Sequence, residues 1–476
     1  MGINYFNEMR FDMNNNNIII SFKESLLLFL IIIMTLIVGI GILKVDLHVV
    51  LLISLFITIS YSLYKGYTWD EIRDGMSLSM LRAYDAMFIF ILIGSTIGIW
   101  MLSGTIPSLI YFGLDILSPR IFLPAGLIIC SLTSLATGTS WGTVSTVGIA
   151  LIGIGESLGI PSEITAGMIV SGAFFGDKIS PMSDTTNLAA SSCDTNIYDH
   201  IGAMLYTTIP AYIIALIIYS ILGFKYGGNN IDYSQVMLIQ QTLDNNFNIS
   251  LLSLIPIIVV IVLSILRKPA ILSMFVGVLV GGVVAIILQK SSLYDVLMAI
   301  NNGYRDNTNI EIVDNLIIRG GIQSMMSTFS LAFIALSLGG ILDKVGYLKV
   351  LVERILCKIK SVGSLVFITI VSCIMSNAIM GEAYLSLILN SKLYNHSYKE
   401  KNLKNCMLSR TIEEGATLTT GLIPWTTAGA FISATLGISS IEYAPFTFFN
   451  LLNIIISIVF AYLGVFVMTK SSKEVT

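Results

Sequence analysis

Between Gly172 and Ser192 an otherwise apolar run carries two carboxylates (Asp177 and Asp184), one amine (Lys178), a proline at 181 and six hydroxyls. A charged side chain at the middle of a bilayer costs about 2.5–3.5 kcal/mol on insertion scales, so residues of this kind usually face a cavity and serve a function. Pro181 has no N–H with which to continue a helix, and neighbouring Ser and Thr side chains can satisfy the backbone groups it frees. The stretch reads as a transmembrane helix broken at mid-depth, with an ion site in the break. Thr185, Thr186 and Asn187 follow Asp184 directly and add side-chain oxygens. Carboxylate, hydroxyl and carbonyl oxygens are the ligands a hard cation such as Na+ prefers.

Three more stretches offer the same chemistry. A small, hydroxyl-rich tip at 137–143 holds Thr137, Thr139 and Ser140. A second polar tip, 376–382, holds Asn377 and Glu382, and a second break, 417–427, ends in Thr426 and Thr427. Glu413 and Glu414 lead into that break. Desolvation favours the neutral form of a carboxyl, so Glu382 joins Asp184 and Asp177 as a proton-carrier candidate. Simpler roles exist for several of these groups. Asp177 could pair with Lys178 and cap a half-helix, and Lys178 more simply neutralises a carboxylate than serves as a counter-charge displaced by a cation. Glu413 and Glu414 could sit in solvent near Arg410. The acids Asp177, Asp184, Glu382, Glu413 and Glu414 face Lys178 alone, a balance that suits a cation better than an organic anion.

These groups must be positioned by membrane helices. Of the 476 residues, 55% are apolar and only 12% charged, with a mean hydropathy of +0.85. Soluble domains carry about twice that charge, and the long non-alternating apolar runs strongly favour helices over a barrel. A net charge of −3 gives no reason to expect a nucleic-acid partner. Five scattered cysteines without a CxxC pair and three isolated histidines support neither disulfides nor a bound transition metal. HExxH and ATP-binding motifs are absent, which argues against an enzyme and for transport driven by an ion gradient, with no cofactor beyond Na+ and H+. The polar start of the chain lacks a cleavable signal pattern, so the first apolar run reads as a spanning helix.

Spans are expected at 21–43, 47–64, 86–103, 202–224, 249–266, 269–288, 321–342 and 446–468, with a loop holding Lys65, Arg73 and Arg82 after the second. Short segments at 106–117 and 347–359 read as interfacial helices. The pairs 121–136/144–158 and 364–380/384–389 read as re-entrant hairpins with short limbs. Broken helices cover 163–192 and 405–436. The chain then divides into an N-terminal tail (1–20), a first transmembrane repeat (21–224), a polar external linker (225–249), a second repeat (250–468) and a C-terminal tail (469–476).

Spacing supports the repeat. Gly138 and Pro181 lie 43 residues apart, as do Gly381 and Pro424, and the same shift of 243 carries Gly172 and Ala173 onto Gly415 and Ala416. Charge placement indicates inversion. With a cytoplasmic N-terminus, Lys44, Arg120, Lys225, Lys290, Arg305 and Arg319 fall outside, Lys178 lies in the break, and the rest of the 26 basic residues fall inside. The first hairpin is nearly free of basic residues and the second is flanked by many, so the two open in opposite directions. Inverted repeats with sites at broken helices are the architecture of many secondary transporters. The expected fold is an all-α polytopic membrane protein of two inverted repeats, each with five spans, a hairpin and a broken helix, in the cell membrane with both termini cytoplasmic.

Gly-Thr-Ser-Trp-Gly-Thr at 138–143 and Gly-Asp-Lys-Ile-Ser-Pro-Met-Ser-Asp-Thr-Thr-Asn-Leu-Ala at 176–189 resemble the NhaC-type Na+/H+ antiporter family of the ion transporter superfamily. The resemblance spans roughly 22–468. It implies Na+-coupled exchange and an elevator-like fold. The family also contains carriers coupling Na+ or H+ to small carboxylates or amino acids, such as malate/lactate exchange, so it fixes the class better than the cargo. The leading expectation is Na+/H+ antiport at Asp184 and Asp177, with Glu382 closing the site and Asp184→Asn abolishing exchange. The alternative is coupled transport of a small organic acid or amino acid. Dimerisation is an expectation by analogy alone. Because the shift of 243 carries Asp184 onto Thr427, the ion ligands are expected to be weighted toward the first repeat.

Overall fold

The computed structural model describes residues 20–227, 233–266, 268–347, 349–351 and 361–469. Among them the structure is helical. Eight helices are long and apolar enough to cross a membrane. Two bent pairs, Val236–Asn246 with Leu251–Ile265 and Ser440–Phe446 with Phe448–Leu463, pass the same test together.

The first half runs α1 (Phe22–Leu36), α2 (Leu47–Tyr64), α3 (Trp69–Arg82), α4 (Tyr84–Leu102), α5 (Thr105–Ile116), α6 (Pro119–Thr137), α7 (Ser140–Thr143), α8 (Ile149–Ser157), α9 (Ser162–Ile179), α10 (Asp184–Ser192) and α11 (Ile197–Tyr226). The second half runs α12 (Tyr233–Asn246), α13 (Ile255–Ile265), α14 (Ala270–Leu288), α15 (Leu293–Asn302), α16 (Glu311–Ile317), α17 (Ile322–Val345), α18 (Val362–Met380), α19 (Ala383–Glu400), α20 (Asn405–Thr420), α21 (Thr427–Leu436), α22 (Ser440–Tyr443) and α23 (Phe448–Leu463).

Two bodies emerge from the packing. In one, α2, α3 and α4 pack on α17, and α14 and α15 on α4. In the other, α6, α9 and α11 pack together and are joined by α18, α20 and α23. This second body holds both polar tips and both breaks. The bodies meet where α5 packs on α8 and α17 on α18 and α21. An ion pair bridges them: Arg319, just before α17, reaches Glu156 of α8 at 3.1 Å.

Local geometry recurs at the shift of 243. Gly138 and Gly381 both take left-handed backbone, with φ of 70° and 69°, and end α6 and α18. Thr139 and Glu382 then cap the next helices. The Ser134 hydroxyl donates to the Ala173 carbonyl at 2.5 Å, and at the equivalent positions the Asn377 amide donates to the Ala416 carbonyl at 2.5 Å. A side chain at Gly172 would strike Leu127 and Cys130, and one at Gly415 would strike Ile370 and Cys373. All of these pairs differ by the same shift.

Several elements depart from expectation. The loop read after α2 contains a 14-residue helix, α3, started by a Thr68–Glu71 capping box. Its polar composition hid it. Gly75 brings α3 against the Gly340 carbonyl of α17 closely enough to leave no room for a side chain. The stretch read as a polar linker includes α12, whose Ile239 and Leu243 are buried one turn apart. The interval 289–320 contains α15, α16 and a glycine corner, where the Gly321 N–H donates to the Gly94 carbonyl at 2.7 Å. The hairpin limbs are not short. The first limbs, α6 and α18, are 19 residues each, about 28 Å at 1.5 Å per residue, and α19 runs 18 residues, well past Leu389. The tips shrink to the turns Gly138–Thr139 and Gly381–Glu382. The interfacial helix read at 347–359, and the tails at 1–20 and 469–476, lie largely outside the described residues.

Candidate functional site

The first break is held open by local hydrogen bonds. α9 stops before Ser180–Pro181, and the Ser180 hydroxyl donates to the Leu135 carbonyl at 3.0 Å, tying the break to the end of α6. Ser183 caps α10, accepting from the Thr186 N–H at 3.4 Å. The Asn187 amide donates to the carbonyls of Pro181 (2.9 Å) and Ser183 (2.7 Å). The Thr186 hydroxyl donates to the Asp177 carbonyl at 3.1 Å. The backbone groups freed by the break are thus taken up by its own side chains.

This framework carries a buried charge cluster. Lys178 and Glu413 are fully buried and Asp177 is 4% exposed. The Lys178 Nζ donates to Glu413 Oε1 at 2.7 Å, Thr185 Oγ1 at 3.2 Å and Asp177 Oδ2 at 3.3 Å. The Ser140 and Thr185 hydroxyls donate to the same Asp177 oxygen at 3.3 Å and 3.5 Å. Glu413 Oε2 is buried with no hydrogen-bond partner. Two carboxylates share one ammonium, so with all three ionised the cluster lacks one positive charge. A buried carboxylate without full compensation is costly, and a bound cation or a proton removes that cost.

Other expected residues lie around this centre. Asp184 is exposed, at the first position of α10, and accepts from the Tyr384 hydroxyl at 3.2 Å. Thr137 and Thr139 spend their hydroxyls locally: Thr137 donates to the Thr133 carbonyl at 2.9 Å, and Thr139 accepts from the Gly142 N–H at 3.2 Å. In the second tip, Glu382 is buried and accepts from the Thr427 hydroxyl at 2.5 Å and the Tyr384 N–H at 3.4 Å. The Thr426 hydroxyl donates to the Thr420 carbonyl at 2.5 Å and caps α21. Asn377 holds α18 to α20 through its amide, which also donates to the Thr419 hydroxyl at 2.9 Å.

Of the two readings open for Glu413 and Glu414, the solvated one does not hold: both are fully buried. Arg410 is equally buried, so Lys178 is not the sole base among these acids. Glu414 faces away from Lys178, accepting from the Thr207 hydroxyl at 2.5 Å and from Ser457, with Arg410 Nε 4.0 Å away. Thr207, Ser457, Tyr384 and His200, which contacts Ser409 at 2.8 Å, carry no sequence signal that separates them from ordinary helix polar residues. The adjacent pair Glu413–Glu414 did carry one: neighbouring acids in an apolar helix point about 100° apart and need separate partners.

The model of the Na+/H+ antiporter family matches residues 172–465, which include both breaks and the second tip. The chain is 38% identical over 433 residues to the Malate-2H(+)/Na(+)-lactate antiporter of Bacillus subtilis, covering 91% of this chain and 92% of that protein. It is 38% identical to the Na(+)/H(+) antiporter NhaC of Alkalihalophilus pseudofirmus, covering 94% and 97%. It is 34% identical to the arginine/ornithine antiporter ArcD of Halobacterium salinarum, covering 95% and 94%. With its membrane helices and paired breaks, the chain belongs to the Na+/H+ antiporter family.

Proposed function

We propose that the protein is a secondary antiporter exchanging Na+ for protons, with Asp177 as the principal ligand and no cofactor beyond these ions. The observation that carries this reading is the buried Asp177–Lys178–Glu413 cluster, which has one more acid than base. Na+ and a proton each supply the missing charge, so binding of one excludes the other. Ser140 and Thr185 oxygens beside Asp177 complete the kind of ligand set Na+ accepts. The body holding tips and breaks would move against the body built on α17, exposing the cluster to each side in turn, with the halves inverted and both termini cytoplasmic. In proteoliposomes, a Na+ gradient should drive opposing proton movement, and Asp177→Asn should abolish it. Undiminished exchange in that variant would refute the assignment.

A second reading is Na+- or H+-coupled exchange of a small carboxylate or amino acid. The names of two relatives, a malate/lactate and an arginine/ornithine antiporter, favour it. Uptake of labelled malate, lactate and arginine with and without a Na+ gradient separates the two.

A further inference from the structure

The second tip and break repeat the backbone of the first at the shift of 243, but with their chemistry rearranged. In the first repeat the acid sits on the break, at Asp177, and the tip supplies the hydroxyl residue Thr139. In the second the acid sits on the tip, at Glu382, and the break supplies Thr420 at the position equivalent to Asp177. Glu382 is buried, and no Lys, Arg or His among the described residues forms an ion pair with it. Its contacts are the Thr427 hydroxyl and a backbone N–H. A buried carboxylate with only neutral partners is costly when ionised.

Two further oxygens lie in the same tip and break. Asn377 Oδ1, one turn before Gly381, and Thr420 Oγ1, at the last residue of α20, are buried without hydrogen-bond partners. The Asn377 amide nitrogen is already committed to the Ala416 carbonyl and the Thr419 hydroxyl, so its oxygen is the atom left over. An amide oxygen can only accept, so its partner must be a proton donor or a cation. Backbone links hold these residues together: the Thr427 N–H donates to the Gly381 carbonyl at 2.9 Å, and the Thr420 carbonyl accepts from Thr426. The donors are all oxygen: a carboxylate, an amide carbonyl and two hydroxyls.

We propose that Glu382, Thr427, Asn377 and Thr420 form a second monovalent-cation site, separate from the Asp177 cluster and filled by Na+ or by a proton on Glu382. The inference rests on the antiport reading and deepens it, because each chain then carries two cation equivalents per cycle. When a proton fills the site, the Glu382 carboxylate takes it from water as one O–H bond forms, and returns it on the other side as that bond breaks. When Na+ fills it, the ion's water ligands are exchanged for the protein oxygens.

The test uses the full-length protein. Bound 22Na+ is counted per chain on purified protein at saturating Na+ and high pH. The H+:Na+ ratio is read in proteoliposomes from the gradients at which net flux stops under a clamped potential. Two Na+ per chain, falling to one in Glu382→Gln, identifies a Na+ site. One Na+ per chain with a ratio of two, falling to one in Glu382→Gln, identifies a proton site. One Na+ per chain with a ratio of one, both unchanged in Glu382→Gln, overturns the proposal while leaving antiport intact. Wild-type protein that neither binds nor moves Na+ overturns the antiport reading itself. If Glu382→Gln does not fold, because Glu382 also caps α19, Thr420→Val removes a ligand without touching that cap. It should weaken the second equivalent at least several-fold, and unchanged affinity and ratio in Thr420→Val would count against the site.

Discussion

The Lys178 ammonium lies 2.7 Å from a Glu413 oxygen contributed by the other half of the chain, with both side chains fully buried. This contact joins the first break to the helix leading into the second. It leaves Asp177 sharing a base that is already engaged. Removing one member of a buried pair typically costs about 3–5 kcal/mol, because the remaining charge is left uncompensated. Glu413→Gln leaves Lys178 with Asp177 alone, a balanced pair, so its stability should depend less on Na+ than that of the wild type. Lys178→Met leaves two acids without a base, so its stability should rise steeply with Na+. Thermal melts of both variants in sodium and in choline chloride would show this. A Lys178→Met melt indifferent to Na+ would contradict it.

Asp177 and Asp184 should behave differently, although sequence alone ranked Asp184 first. Asp177 is buried at the cluster, whereas Asp184 is exposed beside Tyr384. Asp177→Asn should eliminate Na+-driven proton movement. Asp184→Asn should raise the KM for Na+ by roughly ten-fold while leaving kcat within about two-fold, the pattern of a lost approach or ground-state contact. Initial rates across a Na+ series distinguish the two. Complete inactivity of Asp184→Asn in correctly folded protein would restore it to the centre.

Gly176 precedes Asp177 and packs against α6. A Cβ there would lie 2.3 Å from the Ser131 carbonyl oxygen and 2.6 Å from the Leu135 nitrogen. These are backbone atoms and cannot rotate away. Gly176→Ala should cost about 1–3 kcal/mol by overpacking and weaken Na+ binding by displacing Asp177. A thermal midpoint and Na+ affinity equal to wild type would show that α6 and α9 are packed less closely than described.

Asp295 gives a pH dependence outside the spanning helices. The hydroxyl and backbone N–H of Ser292 donate to its carboxylate at 2.7 Å and 2.9 Å and hold its pKa below the usual carboxylate range. A depressed folded pKa stabilises at pH values above the unfolded pKa of about 4, and that contribution disappears as pH falls through the folded value. Amide exchange across 293–302 should therefore be unchanged from pH 7 to 5, once corrected for intrinsic rates, and accelerate below pH 4. In Asp295→Ala the step should vanish.

The amino-acid order by itself determined the membrane class, the two breaks, the two glycine turns and the 43-residue spacing that relates them. These depend on local chemistry: apolar runs of spanning length, prolines without an N–H, and glycines at left-handed turns. The helices missed by that reading, α3, α12, α15 and α16, are polar or mixed, and their faces are defined only by the helices that cover them. What the tertiary structure alone decided is which charges meet. Lys178 and Glu413 are 235 residues apart in sequence, and nothing in their local neighbourhoods specifies the pairing. Glu413 and Glu414 are neighbours, yet helix geometry sends one to Lys178 and the other to Thr207, Ser457 and Arg410. The proposal places Asp177 ahead of Asp184 for a similar reason. Its type and motif marked it as chemically important, but exposure is a property of packing, and packing put Asp177 inside.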